Sequence, residues 1–209
     1  EDTNLAVAKL NTLDGYTSGA INAATLTTLS GTTSALNTAY ASSGITGLGN
    51  EAVTISDTSV AASALNTLDG TTTGAVNAAT VNTLTGLAAD ANTALTSSGI
   101  SNLGNEAVTL SDTSLAASVL NTLDGNTTGA VNAATVTTLT GLAADANTAY
   151  ASSGISGLGN EAVTLSDTSL ASSVLNTLDG NTSGAVNAAT VTTLTGTAAA
   201  ANTAYASSG

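Results

Sequence analysis

The stretch LNTLDGNTTGAVNAATV, residues 120–136, decides the fold because the chain uses it more than once. It recurs with few changes at 10–26, 65–81 and 175–191, so the four copies begin at 10, 65, 120 and 175 with no slippage of the interval. A fixed period of this order marks a repeat architecture, in which each unit buries its apolar face against its neighbours. The copy at 65–119 differs from that at 120–174 at only six places, among them Leu95 against Tyr150 and Asn102 against Gly157. The first copy diverges more, with Tyr16, Ile21, Leu26 and the block TTSAL (32–36) where the next has LAADA (87–91). The repeats fall at 10–64, 65–119, 120–174 and a partial 175–209, with 1–9 as the tail of a preceding repeat, in a single array over 1–209. Glu1-Asp2-Thr3 takes the place of Ser166-Asp167-Thr168, and Gly209 that of Gly154, which reads as a piece of a longer array.

One repeat, 105–159, carries two kinds of periodicity. NEAVTLSD (105–112) alternates Val108 and Leu110 with polar neighbours, the spacing of a strand. Asp112 stands where a helix N-cap belongs, and Leu115, Val119, Leu120 and Leu123 follow on one helical face until Gly125. GAVNA (129–133) is a second short strand. ATVTTLTG (134–141) reads either as a helical turn or, from its Thr content, as a strand. LAADANTAYASSG (142–154) is helical, with Leu142, Ala146, Ala149 and Tyr150 on one face. The matching phrases ALNTAY and ALNTLD place Leu36 and Leu65 slightly more than half a period apart, so each repeat divides into a longer and a shorter half. The expected fold is therefore α/β: an elongated β-α solenoid of about four repeats, each of two unequal β-α halves with parallel strands. An all-α solenoid is the alternative, and separate single-repeat beads, with so few large apolar groups, are a poorer one.

Composition narrows the function. The chain has 14 acids against one base, Lys9, for a net charge of −13, and contains no His, Cys, Met, Trp, Phe or Pro. Hydrophobic residues make up 42% and mean hydropathy is positive, which is not the balance of a disordered chain. Disulfides and thiolate zinc sites are excluded. The acidity disfavours nucleic acid, which needs Lys and Arg against its phosphates, and no apolar run approaches the roughly 18–20 residues that span a bilayer. With no His or Cys, and with near-identical copies offering no unique cleft for a carboxylate pair, no enzyme is expected.

Acids occupy four places in the repeat: Glu51/Glu106/Glu161, Asp57/Asp112/Asp167, Asp14/Asp69/Asp124/Asp179 and Asp90/Asp145. The second set reads as helix caps. The third is odd, since an Asp in the last turn of a helix opposes the helix dipole by roughly 0.3–1 kcal/mol. Asp14, Asp69, Asp124 and Asp179 are thus weak calcium candidates, although DGNTTG lacks the dense acidic pattern of an EF-hand loop and an Asp-Gly turn explains it as well. No other cofactor is expected. Thr83-Leu84-Thr85 and Thr138-Leu139-Thr140 stack one T-x-T triplet per period, as an ice-binding face would, but sparsely. The sequons Asn126-Thr127-Thr128 and Asn181-Thr182-Ser183 are not kept in the other copies and read as chance.

YASSGISGLGNEAVTLSD (150–167) and LNTLDGNTSGAVNAATVTTLTGTAA (175–199) resemble repeats in giant cell-surface proteins of marine unicellular cyanobacteria, the swimming-associated type included. The resemblance covers essentially the whole chain. It implies secretion, display at the cell surface and a mechanical or adhesive role, with no site residue to carry over. The expectation is a structural extracellular array, a stalk, fibre or filament segment of a larger surface protein. A ligand-binding solenoid for calcium, glycan or ice is the alternative. Its partners would be neighbouring repeats of the same or identical chains, meeting end to end, without nucleic acid or membrane insertion. A stacked array should be longer than a compact globule of this length, whose radius of gyration is about 17 Å. Small-angle scattering is expected to exceed that value, and a return of the compact value would refute the stack.

Overall fold

The computed structural model describes residues 2–209 and resolves them into two compact units, 2–107 and 108–209. Each unit is a succession of coils in which short strands alternate with a helix. The first holds α1 (Val7–Tyr16), α2 (Thr33–Ala41), α3 (Ala62–Asp69) and α4 (Ala88–Thr96). The second holds α5 (Ala117–Asn126), α6 (Ala143–Ala151), α7 (Ser172–Asn181) and α8 (Ala198–Ala206). The interval from one helix start to the next alternates between a shorter and a longer value, as from Val7 to Thr33 and from Thr33 to Ala62. The two unequal halves of the repeat are therefore its two coils.

The strands pair in parallel, each with the strand one coil on. Leu5 lies opposite Leu29 and Leu29 opposite Val53, a step that is shorter by one at Val53–Val76, Val108–Val131 and Val163–Val186. In the first unit one sheet orders Asn4–Ala6, Thr28–Gly31, Ala52–Ile55, Val76–Asn77 and Ile100–Ser101. Its inward row is wholly apolar: Leu5, Leu29, Val53, Val76 and Ile100 sit side by side. The second unit repeats this with Leu115, Leu139, Val163 and Val186. A parallel strand buried on one face needs such a row, and β-branched or leucine side chains fill it. The longer coil differs by one strand, Ala52–Ile55 or Ala162–Leu165. That strand lies between a strand that leads into a helix and one that follows a helix, so the sheet crosses from one rank to the other there.

Helices pack on helices in sequence order, α1 to α4 in one unit and α5 to α8 in the other. Their contact faces are small. α6 buries Ala143, Ala146 and Ala149, and α5 buries Ala117, Leu120 and Leu123. The Asn of six LNT and ANT phrases uses this closeness. Asn11 donates its side-chain amide to the Ala35 carbonyl (2.9 Å), Asn37 to Ala64 (2.9 Å) and Asn66 to Asp90 (2.9 Å). Asn121 reaches Asp145 (2.9 Å), Asn147 reaches Val174 (3.1 Å) and Asn176 reaches Ala200 (3.0 Å) in the second unit. A carbonyl has two lone pairs, so a mid-helix oxygen serves its own helix and still accepts from the next.

Several expectations need correction. The helix of 115–123 begins at Ala117, because Leu115 belongs to the strand Ser114–Ala116 and faces Leu139. The helix does not stop at Gly125 but runs through it to Asn126. Leu142 is not on a buried face; it is the N-cap residue of α6 and 46% exposed. ATVTTLTG resolves into a turn followed by the strand Thr138–Gly141. Asn102 takes φ 65°, where its counterparts Gly47 and Gly157 take 84° and 85°. Asn tolerates this left-handed region better than other side chains, which is why that substitution is accommodated.

Asn66→Asp tests the ladder, since it keeps the shape, removes the donor and sets a carboxylate against the Asp90 carbonyl. It should cost about 1–3 kcal/mol in denaturant unfolding. Thr67→Ala, next to it on the exposed face, should change stability by no more than about 0.5 kcal/mol.

Candidate functional site: carboxylates between successive coils

The recurring acids of the repeat are its candidate chemical groups, and each set has a definite place. Asp14, Asp69, Asp124 and Asp179 end their helices half-buried. Each carboxylate accepts the hydroxyl of a serine one coil on, Ser42, Ser97, Ser152 or Ser207, at 2.7 Å. The same hydroxyls accept from the amides of Gly44, Gly99, Gly154 and Gly209 at 3.0–3.1 Å. A Cβ on any of these glycines would strike the Asp carboxylate, so the SSG turn needs glycine for room. The charge-assisted bond offsets the dipole penalty that made these positions look like calcium ligands. Among the described residues no three acids converge as a metal cage would require.

Asp57 and Asp167 do cap helices, but not the ones that follow them. The N-cap residues of α3, α5 and α7 are Ala61, Ala116 and Ala171, which have no capping side chain. Asp57 instead accepts from the Thr33 amide (2.6 Å) and hydroxyl (2.9 Å) at the start of α2, and Asp167 from the Ala143 amide (2.9 Å) at the start of α6. Each serves the preceding coil, where its charge meets the positive end of a helix dipole. Asp112, four residues before Ala116, is likewise off the cap position of α5. Asp90 and Asp145 lie in the first turns of α4 and α6.

The glutamates are the least expected. Glu51 and Glu161 are fully buried, and Glu106 is 1% exposed. In Glu51 one oxygen, Oε2, accepts from the Gly49 amide (2.8 Å), the Asn50 amide (3.2 Å) and the Tyr40 hydroxyl (3.0 Å). Glu161 repeats this with Gly159 (2.8 Å), Asn160 (3.2 Å) and Tyr150 (3.0 Å). Three donors on one oxygen offset much of the cost of burying the group. Oε1 of Glu51 and of Glu161 has no partner among the described residues. The backbone carbonyls of the same glutamates accept from Thr72 (2.8 Å) and Thr182 (2.7 Å), which brings the next coil's TxG turn onto the cluster. Burial, above all, pushes the Tyr40 phenol well up and that of Tyr150 up to about 12; the adjoining glutamate adds to it and a threonine hydroxyl opposes it. Both phenols therefore stay protonated and keep donating. Nothing in the sequence singled out these glutamates except their recurrence and the tyrosine that precedes two of them at the same spacing, Tyr40 before Glu51 and Tyr150 before Glu161.

The remaining candidates are absorbed into the same contacts. Asn181 donates to the Asn147 side chain (2.9 Å), Thr182 to Glu161 and Ser183 to Gly159 (3.3 Å), so that sequon is tied down throughout. The T-x-T triplets lie on the outward sheet face, where other strands fill the gaps between them. In the first unit Ser30, Thr54, Asn77 and Ser101 form one row. An open groove of about 580 Å3 lies beside α2 and α3, and its one acid, Asp57, is committed to Thr33. No family model, no curated protein and no solved structure matches the chain.

Alkaline titration tests the glutamate cluster. Tyr150, raised in the folded state from 10.0 to about 12, lends stability that is complete below pH 10 and lost as the pH rises through 12. A chain in which Tyr16, Tyr40 and Tyr205 are Phe should show phenolate absorbance only near pH 12, together with loss of the circular dichroism of the fold. Ionisation near pH 10 with the fold intact would mean the phenol is not held.

Proposed function

We propose that this chain is a structural array, a stalk, fibre or filament segment of a larger protein displayed outside the cell. One observation carries the reading: several of the recurring acids are spent on contacts that hold neighbouring coils and their turns. Asp124 joins Ser152, Asp167 joins Ala143, and Glu161 organises the turn that Thr182 touches. Groups used in this way hold coils together and are not free to turn over a substrate. The chain's resemblance to giant surface proteins of marine cyanobacteria points to the same role and to an extracellular location. Its uniform acidity suits a solvated exterior. Its partners, on this reading, are coils of the same or identical chains, each covering the apolar row of the next, and no metal or other cofactor takes part.

Immunolabelling of intact, unpermeabilised cells that make the chain tests the location: label at the surface is expected, and label only after permeabilisation would overturn it. Mechanical pulling from the two ends tests the role. Coils held by nearest-neighbour contacts should yield in steps, about 80–100 Å of released length per coil or about 180–200 Å per repeat at roughly 3.3–3.6 Å per residue. A single release of the whole chain would show that the coils are not independent mechanical elements.

A further inference from the structure

We infer that the contact between α2 and α3 is a hinge, pinned where α2 begins and unclasped where α3 ends, at which the first unit opens most readily. The inference rests on the reading of the chain as a coil array and adds the joint at which that array gives.

Within the two units, the other neighbouring helices are clasped near the end of the later helix by a side-chain bond. Ser42 clasps α2 to Asp14 of α1, and Ser97 clasps α4 to Asp69 of α3. Ser152 and Ser207 do the same for α6 on α5 and α8 on α7. For α7 on α6 the clasp is Asn181, the last residue of α7, which donates to Oδ1 of Asn147 (2.9 Å). The equivalent contact of α3 on α2 has none. Thr71 stands where α7 has Asn181. Its side chain is shorter, and its hydroxyl turns back onto the Leu68 carbonyl of α3 itself (2.7 Å). Asn37, the counterpart of Asn147, keeps its amide bond to the Ala64 carbonyl (2.9 Å), but its Oδ1 is buried with no partner among the described residues. α3 stops at Asp69, short of the position equivalent to Asn181.

The opposite end of the same contact is fastened more firmly than its counterpart. Asp57, in the segment leading into α3, accepts both the amide and the hydroxyl of Thr33 at the start of α2. Asp167 meets the amide of Ala143, which has no hydroxyl to add. The middle is filled, since Leu36 is fully buried where α6 has the smaller Ala146. On the outer side less side chain bridges the pair: Ala64 replaces Val174 and lines the open groove with Ser34, Asn37 and Thr38. A pair of helices held in this way opens by swinging the end of α3 away from α2 about the Asp57–Thr33 pin. Thr72, bonded to the Glu51 carbonyl, limits the swing, and the Asp69–Ser97 bond carries the next coil along with it.

Hydrogen exchange on the whole chain tests this with reciprocal substitutions at one position of the two units, Thr71→Asn and Asn181→Thr. Opening at the end of α3 frees the Gly70 and Thr71 amides from the Asn66 and Leu68 carbonyls, so peptides covering 62–73 and 172–183 report on it. Thr71→Asn should slow exchange in 62–73 by about tenfold, and Asn181→Thr should speed exchange in 172–183 by a similar factor, the effect of one hydrogen bond gained or lost. No change in 62–73 on Thr71→Asn would overturn the hinge. So would an equal slowing in every peptide of the first unit, which would mean that the unit opens as a whole. Because the chain has no cysteine, spin labels at Thr12→Cys with Thr67→Cys read the swing directly across α2. Their distance distribution should narrow when Thr71→Asn is added, and an unchanged distribution would count against the inference. These measurements need neither surface display nor load, so the location experiment can fail while the hinge stands.

Discussion

The asparagine ladder is the contact on which the arrangement of coils depends. Six LNT and ANT phrases set an amide at a fixed place on a helix, and each of those amides meets a carbonyl of the next helix. An Asn donor left without an acceptor between packed helices would cost more than the bond yields when made, so the ladder selects register more than it adds stability. Close approach is the condition for it. Alanine, serine and threonine at the helix faces let the backbones come near, and that is why a chain 42% hydrophobic needs so few large side chains. The strand walls follow the same rule with hydroxyls in place of amides. Thr80, Thr135 and Thr190 donate to Ile55, Leu110 and Leu165, the coil before each (2.8–3.0 Å).

The opening phrase can now be read word by word in the second unit. Leu120 and Leu123 are core, Asn121 is a ladder rung, and Thr122 bonds back to Ser118 within its own helix. Asp124 holds the following SSG turn. Val131 sits between Val108 and Ile155. Asn132 closes its own turn onto the Ala134 amide (3.1 Å), and Thr135 reaches the coil before. Asn121, Asp124, Val131 and Thr135 are each committed to a neighbouring coil, which ties these positions to the repeat.

The period, the parallel β-α class and the alternation of a shorter with a longer coil were legible because they are carried by spacing, and spacing survives any ambiguity about single residues. What the sequence hid were contacts at a distance of one coil. Asp57 looks like a cap for the helix that follows it, since local rules consider only neighbours along the chain; in the fold the amide it meets, that of Thr33, belongs to the coil before. The last-turn aspartates looked like an electrostatic fault because their serine partners stand a whole coil further on, Ser42 for Asp14 and Ser152 for Asp124. Leu115 and Leu142 were assigned to helical faces because leucine at i+4 spacing does not reveal where a strand ends or a cap begins. The glutamates were opaque for a different reason. Their donors are mostly backbone amides of Gly-Asn turns, which a residue-type motif does not record.

One substitution within the chain separates scaffold from decoration in that cluster. Leu95 stands where Tyr40 and Tyr150 stand in other copies, so the turn that holds Glu106 is built without the phenol. Glu106 remains 1% exposed, and its Oε2 still accepts from the Gly104 (2.7 Å) and Asn105 (3.1 Å) amides. The backbone amides therefore fix the glutamate, and the tyrosine adds a third donor where it is present. What all three of these turns retain is the carboxylate that shapes them.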